Sequence, residues 1–140
     1  LIKNRTTLIL SPLEVVDDKE EFYISKNQKE VKVPLNLSIC KVTDISDTTI
    51  ESIFVDEMKL QFPLVLRRWQ EGDSFQPFGM KGKSKKVSKF FKDEKVSLIE
   101  KEKIWLLCSD NQIVWIVGMR QDERFKIDET TKEILKITVV

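Results

Sequence analysis

A chain of 140 residues with 41% hydrophobic and 34% charged side chains has enough apolar material for a core, which excludes a disordered or low-complexity segment. Its formal net charge is only +1, but residues 1–60 carry eight basic against eleven acidic side chains and residues 61–140 carry sixteen against twelve, so the halves stand at −3 and +4. The local field, not the total, decides what binds, and the basic half is the one to search. There is no histidine, which removes the commonest general base, the commonest zinc ligand and the Ser-His and Cys-His nucleophile pairs. There is also no GxxxxGK(S/T) or GxGxxG phosphate loop, no apolar run long enough to span a bilayer and no signal peptide. The two cysteines, Cys40 and Cys108, lie in apolar strand-like runs without CxxC spacing. They read as buried free thiols of a reducing, cytoplasmic compartment, with a bridge between them as the weaker alternative. The first residue is Leu1, not Met, and strand-like sequence follows at once, as expected of a piece of a longer protein.

In chain order, residues 6–10 (TTLIL) and 22–25 (FYIS) are rich in β-formers, with a charged turn region at 14–21 between them. Residues 31–34 suggest a brief strand. Residues 35–42 alternate apolar and polar, the pattern of a half-buried strand, and 48–55 resume it after a polar turn at 44–47. Residues 56–59 read as a turn of helix or a connector. Residues 60–69 (LQFPLVLRRW) form the strongest strand pattern, with Pro63 at its start, where an edge tolerates the missing N–H. If Leu64 and Leu66 face the core, Val65, Arg67 and Trp69 share the opposite face. Residues 97–103 suggest a short helical turn with Leu98 and Ile99 inward. Residues 104–109 and 113–117 flank Asp110-Asn111-Gln112 as a hairpin, and 135–140 alternate as a closing strand. The expected class is α+β: mostly antiparallel strands with a short basic amphipathic helix, in one or two small subdomains.

The stretch 67–95 carries the most distinctive chemistry. Glu71-Gly72-Asp73 is turn chemistry, and Gly79-Met80-Lys81-Gly82 is a flexible loop. A helix follows, with Ser84 available as its cap and Val87, Phe90 and Phe91 forming one apolar stripe at i, i+3 and i+4. Seven lysines fall between positions 81 and 95, at 81, 83, 85, 86, 89, 92 and 95, opposed only by Asp93 and Glu94. Two readings stand: a solvated helix face, or a seat for a phosphate backbone. The glycine loop and nearby arginines weigh toward the second. Arg67 or Arg68 can pair with Glu71 or Asp73, and Arg120 and Arg124 with Asp122 or Glu123. Trp69, Phe75 and Phe78 are expected to close a small core, although such aromatics can also stack on bases.

Taken together, Arg67-x-Trp69-x-x-Gly72-Asp73-x-Phe75-x-Pro77-x-Gly79-Met80-x-Gly82 and Lys85-Lys86-Val87-Ser88-x-Phe90-Phe91-x-Asp93-x-Lys95 form a specific pattern. It resembles the C-terminal domain of the bacterial tRNA(Ile)-lysidine synthetase family, and Ile113-Val114-Trp115-x-x-Gly118-x-Arg120-x-Asp122-x-Arg124-Phe125 extends the resemblance. Residues 1–59 match less strongly and correspond to an accessory β-rich region, with 60–140 as the C-terminal α+β tRNA-binding domain. The resemblance implies a whole protein that uses ATP and free lysine to convert the first anticodon cytidine of a tRNA(Ile) with a CAU anticodon into lysidine. That reaction belongs to an N-terminal PP-loop domain with an SGGxDS-type motif, which this sequence lacks. The C-terminal domain, related in fold to one in the phenylalanyl-tRNA synthetase β subunit, would hold the tRNA chiefly at its acceptor-stem end. Carried onto this sequence, Arg67, Lys81, Lys83, Lys85, Lys86, Arg120 and Arg124 become the expected tRNA contacts, with Lys89 added from its place on the helix. Gly72, Asp73, Gly79 and Gly82 would shape the loop. No catalytic residue, metal or cofactor is expected in the chain itself. The alternative is a protein-interaction or homodimerisation module that pairs through apolar strand edges.

Overall fold

The computed structural model describes residues 20–43, 45 and 51–140. The predicted strand at 6–10, nearly all of the turn regions at 14–21 and 44–47, and the start of the strand at 48–55 lie outside the described residues. The strands, in chain order, are β1 (Glu21–Ile24), β2 (Glu30–Val31), β3 (Leu37–Val42), β4 (Ser52–Asp56), β5 (Leu64–Arg68), β6 (Ser74–Phe75), β7 (Lys85–Lys86), β8 (Trp105–Ser109), β9 (Gln112–Ile116), β10 (Arg120–Gln121) and β11 (Ile134–Val139). Two short α-helices, α1 (Val87–Asp93) and α2 (Leu98–Lys101), fall between β7 and β8, and single 3-10 turns follow β4 and β10.

These elements build two antiparallel sheets and a two-stranded ribbon. The first sheet has the order β1-β5-β8-β9-β10, the second β2-β3-β11-β4, and β6 pairs with β7. The regions expected on either side of residue 60 interleave: β1 joins the first sheet by pairing with β5, and β11 enters the second between β3 and β4.

The first sheet is covered on both faces. On one, Leu64, Leu66, Leu107 and Trp115 meet Leu37, Ile39, Ile53, Val55, Leu135 and Ile137 of the second sheet. On the other, Leu106, Cys108, Ile113 and Ile116 meet Phe75 and the α1 residues Val87, Phe90 and Phe91. The strict alternation read in β5 explains its share: Leu64 and Leu66 enter the first cluster, while Val65 and Trp69 pack against the second. In β9 the period slips. Leu107 lies opposite Trp115 but Cys108 lies opposite Ile113, leaving Val114 as the extra residue of a β-bulge. Ile113 and Ile116, an odd number of residues apart, therefore reach the same core. The connecting turn is Asp110-Asn111, with φ of 47° and 66°, the left-handed pair a tight hairpin requires.

Several expectations need correction. The strong strand begins at Leu64, not residue 60, and lies between β1 and β8, not at an edge; Pro63 sits just outside the ladder after a cis peptide bond. Cys40 is exposed and only Cys108 is buried. The physical reason is cover: the first sheet is packed on both faces, so Cys108 is buried on either, whereas β3 alternates and turns Leu37 and Ile39 inward and Cys40 outward. Burial pushes the Cys108 thiol up to about 11. Leu98 and Ile99 do not point inward; they are 77% and 68% exposed. Helix α2 is held by its cap instead, a reciprocal box in which the Ser97 hydroxyl accepts from the Glu100 N–H and the Glu100 carboxylate accepts from the Ser97 N–H.

Trp115 is 1% exposed at the centre of the larger cluster, so Trp115→Ala is expected to lower unfolding free energy by about 3–5 kcal/mol. Leu98→Ala, at an exposed position, should change it by less than about 0.5 kcal/mol. Denaturant titration of both variants checks the contrast.

Candidate nucleic-acid interface

The basic stretch is built outward from the end of β5. Arg67 reaches forward to Asp73 and makes a two-pronged pair, Nη1 to Oδ2 at 2.9 Å and Nη2 to Oδ1 at 3.0 Å, and also donates to the Arg68 carbonyl. Asp73 in turn accepts from the Gln70 N–H at 2.7 Å, which closes the turn around Gly72 at φ +95°. Burial pulls the Arg67 pKa down, but hydrogen bonding to Asp73 and nearby negative charge more than offset it, and the net shift is upward.

Ser84 does not cap the helix. Lys85 and Lys86 pair as β7 with Phe75 and Ser74, and α1 starts at Val87 with Lys86 in the cap position and no side-chain cap. The Asp73 carbonyl takes over part of that work, accepting the Val87 N–H at 2.9 Å. Asp73 thus fixes the entry to the helix through its backbone and the turn before it through its carboxylate.

Between β6 and β7 the chain crosses residues 76–84 and is stitched to the segment after β10. Asp122, 0% exposed, accepts the Gln76 N–H at 2.8 Å and the Arg124 N–H at 2.7 Å, and is gripped by the Arg124 guanidinium at 2.9 and 3.0 Å. The Phe78 N–H donates to the Gln121 carbonyl, and the Gly79 N–H to the Glu123 carboxylate. Lys81 adopts a left-handed φ of 55°, so Gly79, Lys81 and Gly82 all turn the loop through the same region. Phe75 closes the core as expected, at 1% exposure, edge-on to Phe90 at 5.3 Å. Trp69, half-buried, sits edge-on to Phe91. Phe78 does not close the core: it is 48% exposed. Its neighbours' hydrogen bonds turn the backbone outward there, and no pattern of apolar spacing encodes that.

The predicted contacts therefore separate. Lys81, Lys83, Lys86 and Lys89 are exposed. Lys85 is half-buried, bound to Asp93 at 2.6 Å and set over the Phe90 ring. Lys89 shares Asp93 at 3.1 Å. Arg120 also lies over Phe90, 5.7 Å from its centre, so Lys85 and Arg120 meet on one ring. Arg67 and Arg124 are committed to Asp73 and Asp122. Among the described residues, Lys81, Lys83, Lys86, Lys92 and Lys95 have no carboxylate within ion-pair distance. Lys92 and Lys95, not nominated from the sequence, join the exposed set. No group of three or more His, Cys, Asp or Glu among the described residues could hold a metal, and no described helix is long and apolar enough to cross a membrane.

Hydrogen bonds from Lys85 and Lys89 hold Asp93 below the usual carboxylate range, and Lys126 together with the Gly79 N–H does so for Glu123. A carboxylate whose folded pKa is depressed stabilises the fold fully above its ordinary value, here 3.8 and 4.5, and loses that contribution as pH falls through the folded value. The thermal midpoint is expected to hold down to about pH 5 and to drop below it, with a shallower drop in Asp93→Asn, as scanning calorimetry across pH would read. Asp73→Ala strands Arg67 and opens the turn. It should lower stability by about 1–3 kcal/mol and speed amide exchange at Gln70 and Val87.

The comparisons with known proteins agree with one another. A family model described as the TilS substrate C-terminal domain matches residues 64–137. The tRNA(Ile)-lysidine synthase of Parabacteroides distasonis is 47% identical over 139 residues, a match covering 96% of this chain and 31% of that protein. The same enzyme of Bacteroides thetaiotaomicron is 36% identical over 141 residues, covering 100% of this chain and 31% of the relative. A crystal structure of a TILS C-terminal domain superposes with a TM-score of 0.68, covering 86% of this chain and 98% of that one; at 16% identity this speaks to the fold alone. The chain spans about a third of the length of the curated relatives it matches. On these matches the chain belongs to the tRNA(Ile)-lysidine synthase family, and the region matched is the family's C-terminal domain.

Proposed function

We propose that this chain is the tRNA-holding, non-catalytic part of a tRNA(Ile)-lysidine synthase. The observation that carries the reading is the exposed set Lys81, Lys83, Lys86, Lys92 and Lys95, none within ion-pair distance of a carboxylate, in a stretch whose Asp93 is already held by Lys85 and Lys89 and whose other acid is the exposed Glu94. Phosphate contacts of this kind fix the register of an RNA without reading its sequence, and A-form RNA is met largely through backbone and shape. The ligand is then tRNA(Ile), gripped at its acceptor-stem end. The chemistry, in which ATP activates the first anticodon cytidine for attack by the amine of free lysine, belongs to a PP-loop domain elsewhere in the whole protein. A cytoplasmic site of action goes with that substrate.

Within the interface, Lys81, Lys83 and Lys86 make the direct contacts with Lys92 and Lys95 beside them, and Lys89 joins from its pair with Asp93. Lys85 and Arg120 add charge from above Phe90, and Arg67, Gly72, Asp73, Gly79, Gly82 and Arg124 hold the shape. The second reading, a protein-contact or homodimer module, has one observation in its favour, the exposed pair Leu98 and Ile99. Light scattering over a range of concentrations tests it: under the tRNA reading the mass stays that of one chain.

Lys83→Glu combined with Lys86→Glu is expected to weaken tRNA binding and to make the dependence of log affinity on log salt shallower by roughly 2, about one for each phosphate no longer neutralised. The thermal midpoint should stay where it is, because neither side chain has a structural partner among the described residues. A gel-shift series from low to physiological salt makes the measurement, and unchanged affinity at low salt would falsify the reading.

A further inference from the structure

Phe78 and the cleft beside it are unused by a purely phosphate-gripping surface. Exposed aromatics are often incidental, but this one is presented on a fixed backbone. The Phe78 N–H is bonded to the Gln121 carbonyl at 2.9 Å, the next N–H to Glu123 at 3.0 Å, and Pro77 bridges to Asp122. The ring borders a cleft of about 770 Å³, within the size range that takes small ligands, whose other walls include Phe54, Trp115, Met119 and Arg120. These walls are mostly apolar, and the Lys126 ammonium stands 6.0 Å from the Phe78 ring centre. Two of the carboxylates nearby are already paired, Glu123 with Lys126 and Asp128 with Lys59, and Glu129 stands exposed at the rim. A little further along the chain the free lysines of the loop begin, at Lys81 and Lys83.

A flat apolar face, a cation beside it and a row of phosphate-seeking lysines next to it together complement one kind of ligand. We infer that the Phe78 cleft seats an unpaired nucleotide at the end of an RNA helix, its base on the Phe78 ring and its phosphate toward Arg120, which among the described residues has no carboxylate within ion-pair distance. This rests on the RNA-holding reading and deepens it: the lysines grip the helical part, and the cleft recognises that the helix has ended in a single strand. Stacking on an aromatic serves any base, so the site selects a single-stranded terminus and not a sequence. A simple solvated phenylalanine would make no such distinction.

The test compares two RNAs, a blunt duplex and the same duplex with a short unpaired 3′ tail, against the chain and its Phe78→Ala and Phe78→Trp variants. The chain is expected to bind the tailed duplex about 5- to 100-fold tighter than the blunt one, the range that stacking one base supports. Phe78→Ala should erase that preference while leaving blunt-duplex binding and the thermal midpoint unchanged, and Phe78→Trp should keep it. Equal binding of the two RNAs by the unsubstituted chain, or a preference that survives Phe78→Ala, would overturn the inference and leave the phosphate grip standing. If neither RNA binds, the RNA-holding reading falls and this one falls with it.

Discussion

The constraint on which the structure depends is that its first sheet must be covered on both faces. A five-stranded sheet carrying Leu64, Leu66, Leu107 and Trp115 on one side and Leu106, Cys108, Ile113 and Ile116 on the other has no face to give to water. The second sheet covers the first side. A seven-residue helix and a two-residue strand cover the other, which is little material, and the cover works because three phenylalanines supply it. The helix and loop spend Phe75, Val87, Phe90 and Phe91 on the core. Most of what remains on them is therefore at the surface, and that surface is where the lysines stand.

The electrostatics follow from the same arrangement. Loops that lack regular ladders must satisfy their backbone groups by other means, and here acids do it. Asp73 closes one turn, Asp122 staples the loop from beneath, and Glu123 caps a glycine N–H. Each is then balanced by one cation, respectively Arg67, Arg124 and Lys126. A near-neutral chain can present a locally basic surface in this way, because these acids are paired within the scaffold while several lysines beside them are not.

Much of this was legible in the sequence, and the failures have physical causes. Apolar runs on either side of Asp110-Asn111-Gln112 located β8 and β9, and alternation gave the faces of Leu64 and Leu66 in β5, because pleated strands enforce a period of two. The stripe Val87, Phe90 and Phe91 located α1 for the corresponding reason in helices. Ser84 looked like a cap because a hydroxyl before an apolar stripe usually is one; the tertiary pairing of Lys85 and Lys86 with β6 moved the helix start past it. The inward placing of Leu98 and Ile99 failed because a capping box can hold a single turn of helix without a buried face. Arg67 and Arg124 carried the family pattern as tRNA contacts, while nearby Asp73 and Asp122 also offered them ion pairs, and those pairs form. Asp122 stood in the family pattern and as a partner for Arg124, but its burial belongs to the fold. The division at residue 60 came with the resemblance, which is weaker before it, and strands pair across it.

The position of β11 has a consequence for how the chain reaches this state. It comes after every other described strand in synthesis and yet lies between β3 and β4, with Ile137 opposite both Ile39 and Ile53. Those two earlier strands do not pair with each other, so β3 has only the two-residue β2 beside it and β4 has no strand neighbour until residues 134–139 emerge from the ribosome. While the residues before them are being translated, the edges of β3 and β4 and the apolar face they share with the first sheet stand open, a state that invites association and the attention of chaperones. Closure of the second sheet is thus a late, long-range event, and a nascent chain that stops short of β11 lacks the middle of a sheet, not its margin.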